Sequence, residues 1–186
     1  VPPQELVEPF VIAAHGNLDQ ARTLLAAHPE MLNVPWAKFD ETALAAASHM
    51  GRREIAEFLL DAGAPLTLCA AAMLGRRDDV AAYIDADPAL ANGRGAHGIP
   101  VLYHAALSGD TAIADLLLAK GGGEGIDSAL HAATLRGHLP MVEWLLAHGV
   151  TDVNTPNFAQ KTPLQMAMDL GNEPIADLLR RHGGTA

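Results

Sequence analysis

One glycine recurs six times in this chain with the same neighbours around it, at positions 16, 51, 75, 109, 137 and 171. Each follows a small, Ala-rich run and precedes a second run ending in a leucine pair or its equivalent. The segments read FVIAAHGNLDQARTLL, ALAAASHMGRREIAEFLL, LCAAAMLGRRDDVAAYI, LYHAALSGDTAIADLLL, LHAATLRGHLPMVEWLL and LQMAMDLGNEPIADLL. Five positions after the glycine stand Ala21, Ala56, Val80, Ala114, Val142 and Ala176; three further on stand Leu24, Leu59, Tyr83, Leu117, Leu145 and Leu179. Seven positions before it, five of the six segments have leucine. Unrelated helices would not hold these offsets, so the chain is an array of internal repeats, and that fixes its fold more tightly than anything else in it.

Each repeat reads as a helix hairpin. The pivot glycine is free to adopt positive φ and end the first helix. Asp19, Glu54 or Asp78 then opens the second, where a carboxylate suits the helix dipole. Pro140 and Pro174 take that place elsewhere, tolerated because a first-turn N–H has no helical partner. Gly63, Gly121, Gly149 and Gly183, or an HP or DP pair, end the second helices. The composition agrees: 49% of residues are hydrophobic but only 4% aromatic, so Ala and Leu supply the apolar mass and favour helices in close contact. The expected fold class is an all-α repeat solenoid.

These units resemble ankyrin repeats from about residue 4 to 184. Ser128-Ala-Leu-His-Ala-Ala and Thr162-Pro-Leu-Gln-Met-Ala stand where that family has Thr-Pro-Leu-His-x-Ala, and GHLPMVEWLLAHGVTDVN follows its second helix and exit turn. The resemblance implies one ankyrin-repeat domain over 1–186, a stack of six helix-turn-helix repeats near 4–33, 34–65, 66–91, 92–124, 125–152 and 153–184. The family period is about 33 residues, whereas successive pivots here lie 35, 24, 34, 28 and 34 residues apart. The long linkers, NVPWAKFDET, NGRGAHGIP and NTPNFAQKT, have room for the family's β-hairpin finger; the short ones, GAPLT and GGGEGID, do not. Short hairpin fingers are therefore expected at about three junctions, before repeats two, four and six, over a shallower, gapped groove. Arg180, where other repeats have an apolar residue, gives the last helix the wet side a terminal repeat needs.

Chemistry finds little support in the pattern. The net charge of −10 disfavours nucleic acid. A single cysteine, Cys69, allows no internal disulfide, which suits a reducing, cytoplasmic setting. No apolar run approaches the roughly 20 residues of a membrane helix. There is no GxSxG, HExxH or CxxC, and GGGEG lacks the lysine and hydroxyl of a phosphate loop. His15 and His49 invite a metal reading, but packed helices stand about 8–10 Å apart and Zn–N bonds are about 2 Å long. No catalytic residue, cofactor or metal is expected. By the resemblance, His131 bonds the turns of adjacent repeats.

In ankyrin repeats the two residues before the pivot face the concave groove. Here they include His49, Met50, Met73, Leu74, Leu107, Leu135, Arg136 and Leu170, an apolar stripe of the kind that marks a binding surface. The alternative is that neighbouring helices close over part of it and make those side chains core. Trp36, Phe39, His97 and Phe158 in the fingers would extend the site. The reading that follows is a non-catalytic, monomeric interaction module or scaffold gripping a protein or peptide, with no nucleic acid or membrane involved. A second reading is a small-molecule or metal-binding protein using a pocket near repeats three to five, lined by Tyr103, His104 and His131. A third is a structural or self-associating array.

Overall fold

The computed structural model describes residues 2–186 and folds them into helix pairs. The first pair is α1 (Gln4–Ala14) and α2 (Leu18–Ala27), the second α3 (Ala43–His49) and α4 (Arg53–Asp61). The third is α5 (Leu68–Leu74) and α6 (Arg77–Ala86), the fourth α7 (Val101–Ser108) and α8 (Thr111–Ala119). Then come α9 (Ile126–Arg136) with α10 (Leu139–Ala147), and α11 (Pro163–Asp169) with α12 (Glu173–Arg181).

Local chemistry sets the ends. Thr42, Thr67 and Thr162 cap α3, α5 and α11 by accepting the N–H three residues on, and Gln165 completes a capping box with Thr162. Five pivots take the left-handed conformation, with φ between 62° at Gly51 and 76° at Gly109. Gly16 does not: α1 ends in an ordinary right-handed turn at His15, and Asn17 caps α2 through the Gln20 N–H.

The first helices are short and alanine-rich. Ala46, Ala47, Ala70, Ala71, Ala72, Ala105, Ala106, Ala132 and Ala133 are buried along the seam, where the missing bulk brings backbones close. The second helices supply volume through Leu59, Ile84, Ile113, Leu117, Met141, Leu145 and Leu179, all buried. Each such side chain contributes about 1.5–3 kcal/mol on burial. The last helix keeps Arg180 in solvent, paired with Asp177 at 2.7 Å.

The fingers are slighter than the linkers promise. Two shrink to a single bridge each, Trp36 with Glu41 and Arg94 with Pro100, and the third is only a turn in which Asn157 N–H donates to the Lys161 carbonyl. Prolines at 35, 100 and 156 withhold the donors that a ladder needs. The Asn157 side chain also accepts from the Ala159 and Lys161 N–H groups, competing with strand pairing.

The asparagines that open the linkers have a job at two of the three. Asn92 bonds the Gly121 carbonyl at 2.9 Å and the Gly123 N–H at 3.1 Å; Asn154 bonds the Gly183 carbonyl at 3.0 Å and the Thr185 N–H at 2.7 Å. Each clamps the exit of one helix pair to the exit of the next.

The stack also curls. α3 touches α7, two pairs away, as well as α5 between them, and the most extensive helix contacts are α5 on α7 and α7 on α9. Arg136, at the end of α9, donates to the Gly51 carbonyl three pairs back. The middle of the array is therefore drawn together on its inner side, around a groove bridged by Arg136.

Candidate functional site

The curl splits the expected groove stripe in two. Met73, Leu74 and Leu107 are core, not surface. α5 is enclosed because α3 and α7 meet across it, and its last two side chains fill that seam. Met73 and Leu107 reach only the wall of a 560 Å³ groove, whose rim is Gly16, Gly51, Arg52, Arg53, Arg136 and His138. Its lining carries three arginines against one glutamate, Glu54, a cationic excess in a chain of net charge −10. Arg52 donates to the His15 carbonyl at 2.7 Å and Arg53 to the Leu74 carbonyl at 3.0 Å. Burial lowers the proton affinity of the Arg136 guanidinium, and the fields of Arg52 and Arg53 lower it further.

Met50, Leu135 and Leu170 are exposed, as expected of groove residues. Phe158, on the third finger, is 99% exposed, and Leu135 is 50% exposed. Both stand at a 310 Å³ cavity with Tyr103, His131, Pro156 and Met166. His131 donates from Nε2 to the Thr155 carbonyl at 2.8 Å, tying α9 to the next linker. Burial pushes its imidazole below the ordinary value.

His104 packs edge-on to Tyr103, ring centroids 5.9 Å apart, but does not line the cavity that Tyr103 and His131 share. It lies in a separate 290 Å³ cavity with Cys69 and Gly95, and its Nδ1 donates to the Pro100 carbonyl at 3.0 Å. Burial pushes the Cys69 thiol up to about 12 and the His104 imidazole down to about 4. Two neutral groups of this kind make no thiolate nucleophile.

The first two fingers meet. No finger stands at the third pair, so the turn that carries His97 settles beside the turn that carries Phe39, their rings 5.4 Å apart. Trp36 packs edge-on to Phe39 at 4.8 Å and braces its own turn. Beneath them lies Glu41, fully buried. Three histidines converge on its carboxylate: His49 Nε2 at 2.8 Å and His97 Nε2 at 3.2 Å from Oε1, and His15 Nε2 at 3.6 Å from Oε2. The His15 and His49 rings, on neighbouring first helices, stand 5.2 Å apart, so the helix spacing is spanned by rotamers that point at one another. Burial pushes the Glu41 carboxyl up, but the hydrogen bond from His49 and the fields of the three imidazoles outweigh it and hold the group below the ordinary carboxylate range. Sequence spacing hid this cluster, whose members lie at 15, 41, 49 and 97. The clue available was the alternation of long and short linkers, which brings two fingers together.

Among the described residues, no helix is long and apolar enough to cross a membrane. Comparison with known families matches "Ankyrin repeats (3 copies)" over residues 66–157 and 102–185, and "Ankyrin repeat" over 39–71. Two viral proteins are similar in sequence. The I-Kappa-B like protein C2 of Microplitis demolitor bracovirus (isolate Webb) is 37% identical over 57 residues, 31% of this chain and 32% of that one. FPV014 of Fowlpox virus (strain NVSL), named for its ankyrin repeats, is 31% identical over 107 residues, 55% of this chain and 24% of that one. The chain thus aligns with a third or less of each relative's length. Matches over more than half of the chain, on the same helix pairs that the pivot glycines divide, make it a member of the ankyrin repeat family.

Proposed function

We propose that this chain is a non-catalytic interaction module that binds a protein or peptide segment along the inner face of its C-terminal half. Ankyrin repeats generally mediate protein–protein interaction, and repeat arrays bind through their extended concave surfaces. The observation that carries the proposal is the side chain of Phe158, 99% exposed beside the half-exposed Leu135 at the mouth of the 310 Å³ cavity. Aromatic anchors next to a pocket are the usual energetic centre of an interface. Tyr103 and Pro156 line the same cavity, Leu170 is exposed on the next helix pair, and Arg136 with Arg52 and Arg53 makes the 560 Å³ groove favourable for carboxylate side chains of the partner. Met50, His49, Trp36 and Phe39 stand at the far end and are secondary in this reading. The module acts as a monomer in the cytoplasm, without nucleic acid, membrane or cofactor in its interaction role.

Crosslinking and affinity capture with Leu135→Asp and Phe158→Asp test the proposal. Both residues are exposed, so both variants keep the wild-type circular dichroism and melting profile. Loss of partner recovery from such folded variants is the expected result. Undiminished recovery from both removes this surface from consideration.

A further inference from the structure

We infer that Glu41, His15, His49 and His97 form a binding site for one divalent first-row transition ion, Zn2+ above all, which fastens the first, second and fourth helix pairs together. The inference is independent of the interaction surface proposed above.

The donor atoms already converge. One from each residue, three imidazole nitrogens and a carboxylate oxygen, lie within 4.8 Å of one another. Ligands bound to tetrahedral Zn2+ at about 2.0–2.2 Å stand roughly 3.3–3.6 Å apart. The separations of 2.8 and 3.2 Å from Oε1 and 3.6 Å from Oε2 stand near that value, and the donor set as a whole spans no more than 4.8 Å. Closing the widest separation, at most 4.8 Å, to that spacing takes a relative movement of about 1 Å, within reach of side-chain torsions.

The tautomer of His15 points the same way. Its Nδ1 lies 2.9 Å from the Val11 carbonyl, and a carbonyl can only accept. Nδ1 therefore carries a proton, and the ring presents Nε2, on its far side, to Glu41 Oε2. That oxygen is buried and has no hydrogen-bond partner among the described residues. At 3.6 Å the two atoms are too far apart for a hydrogen bond and stand at the separation of two ligands on one ion. Donation of the remote ring N–H to a backbone carbonyl is also the arrangement that orients metal-bound histidines.

Glu41 is fully buried, and among the described residues no lysine or arginine pairs with it; its only ionic partners are the three imidazoles. A buried carboxylate demands a paired cation or a metal. Imidazole-rich donor sets with one carboxylate suit Zn2+ and its neighbours rather than Mg2+ or Ca2+, which prefer oxygen. Four protein donors fill a tetrahedron, so the site is structural and leaves no position for a reacting water. One ion there would join the end of α1, the first finger, the end of α3 and the second finger, all across the curl. It also gives a reason for His97, a non-glycine residue at φ 57°, to be held in the left-handed region.

The test is metal titration of the whole chain after chelator treatment and dialysis. Calorimetry with Zn2+ is expected to give one ion per chain, and Co2+ to give the intense visible bands of a tetrahedral complex. Outer-shell changes alone cost about 10- to 100-fold in metal affinity, so loss of a ligand in Glu41→Gln, His15→Ala or His97→Ala is expected to cost more than about 100-fold. His148→Ala, which removes an exposed histidine stacked on Trp144, is expected to change nothing. Zn2+ is expected to raise the melting temperature of the wild type but not of the ligand variants. Glu41 is buried and its variant risks misfolding, whereas His15 and His97 lie at the surface side of the cluster and report on folded protein. Absence of stoichiometric Zn2+ binding overturns the inference. So does single-site binding of wild-type strength in both His15→Ala and His97→Ala, or a Co2+ complex without tetrahedral bands.

Discussion

Replacing His104 by glutamine is expected to make this protein less sensitive to acid. The residue is 1% exposed, on α7, and its Nδ1 proton is held by the Pro100 carbonyl. Burial pushes its imidazole down from 6.5 to about 4; the bond to Pro100 opposes that shift and the field of His49 adds to it. The folded-state value is depressed, so the unfolded chain binds the proton more readily. The stabilisation is complete above the unfolded value and is lost as pH falls toward the folded one. Between about pH 7.5 and about pH 5 this one group withdraws ~2 kcal/mol, the logarithm of the ratio of the two proton-binding polynomials times RT. His131 and Glu41, both also lowered, lose stability in the same direction on acidification. The readout is therefore the difference between wild type and His104→Gln in urea melts across that range, not the wild-type curve alone. The variant starts less stable, because packing around the ring is lost, but its curve is flatter by ~2 kcal/mol. Parallel curves would refute the reasoning, since they would mean that His104 exchanges its proton as freely folded as unfolded.

Other expectations follow from burial and hydrogen bonding. Met73→Asp, buried in the α3–α5–α7 seam, unfolds the protein or lowers its stability by more than about 4 kcal/mol, whereas Leu135→Asp stays within about 0.5 kcal/mol of wild type in the same melts. Leu117→Ala, fully buried on α8, costs about 2–5 kcal/mol by chemical denaturation. Asn154→Ala removes the clamp to Gly183 and Thr185, and is expected to raise amide exchange in 182–186 while leaving α5 and α7 protected.

Much of the fold is legible in the chain because its determinants are local. A pivot glycine, a threonine cap or a carboxylate in a first turn acts within a few residues, and the same offsets recur six times. His131 also behaves as the family resemblance implies, because its bond to Thr155 spans one linker. The curl is different. Whether α3 reaches α7 depends on the angles at which pairs stack, and those angles arise from small residues summed along the seam. The stripe at Met73, Leu74 and Leu107 therefore reads as surface in sequence and becomes core in three dimensions, while Met50, Leu135 and Leu170 remain outside. The fingers erred the other way. Linker length allows a hairpin, but proline and side-chain acceptors at 100, 156 and 157 leave only bridges and a turn. Glu41 escaped notice because the sequence FDET looks like any polar turn; only the meeting of two fingers surrounds it with imidazoles.

The hydrogen bond from Arg136 to the Gly51 carbonyl bears on how such a chain lengthens and melts. A linear array tolerates duplication or loss of a module, because each unit touches only its neighbours and frays from its ends. Here residues 85 apart in sequence are joined across the curl. Inserting a helix pair between them would move the guanidinium about one module's width from its acceptor, so the span from Gly51 to Arg136 has a fixed module number. That span must also close a long loop before this contact rewards it, which favours a late, all-or-none completion of folding over stepwise zipping.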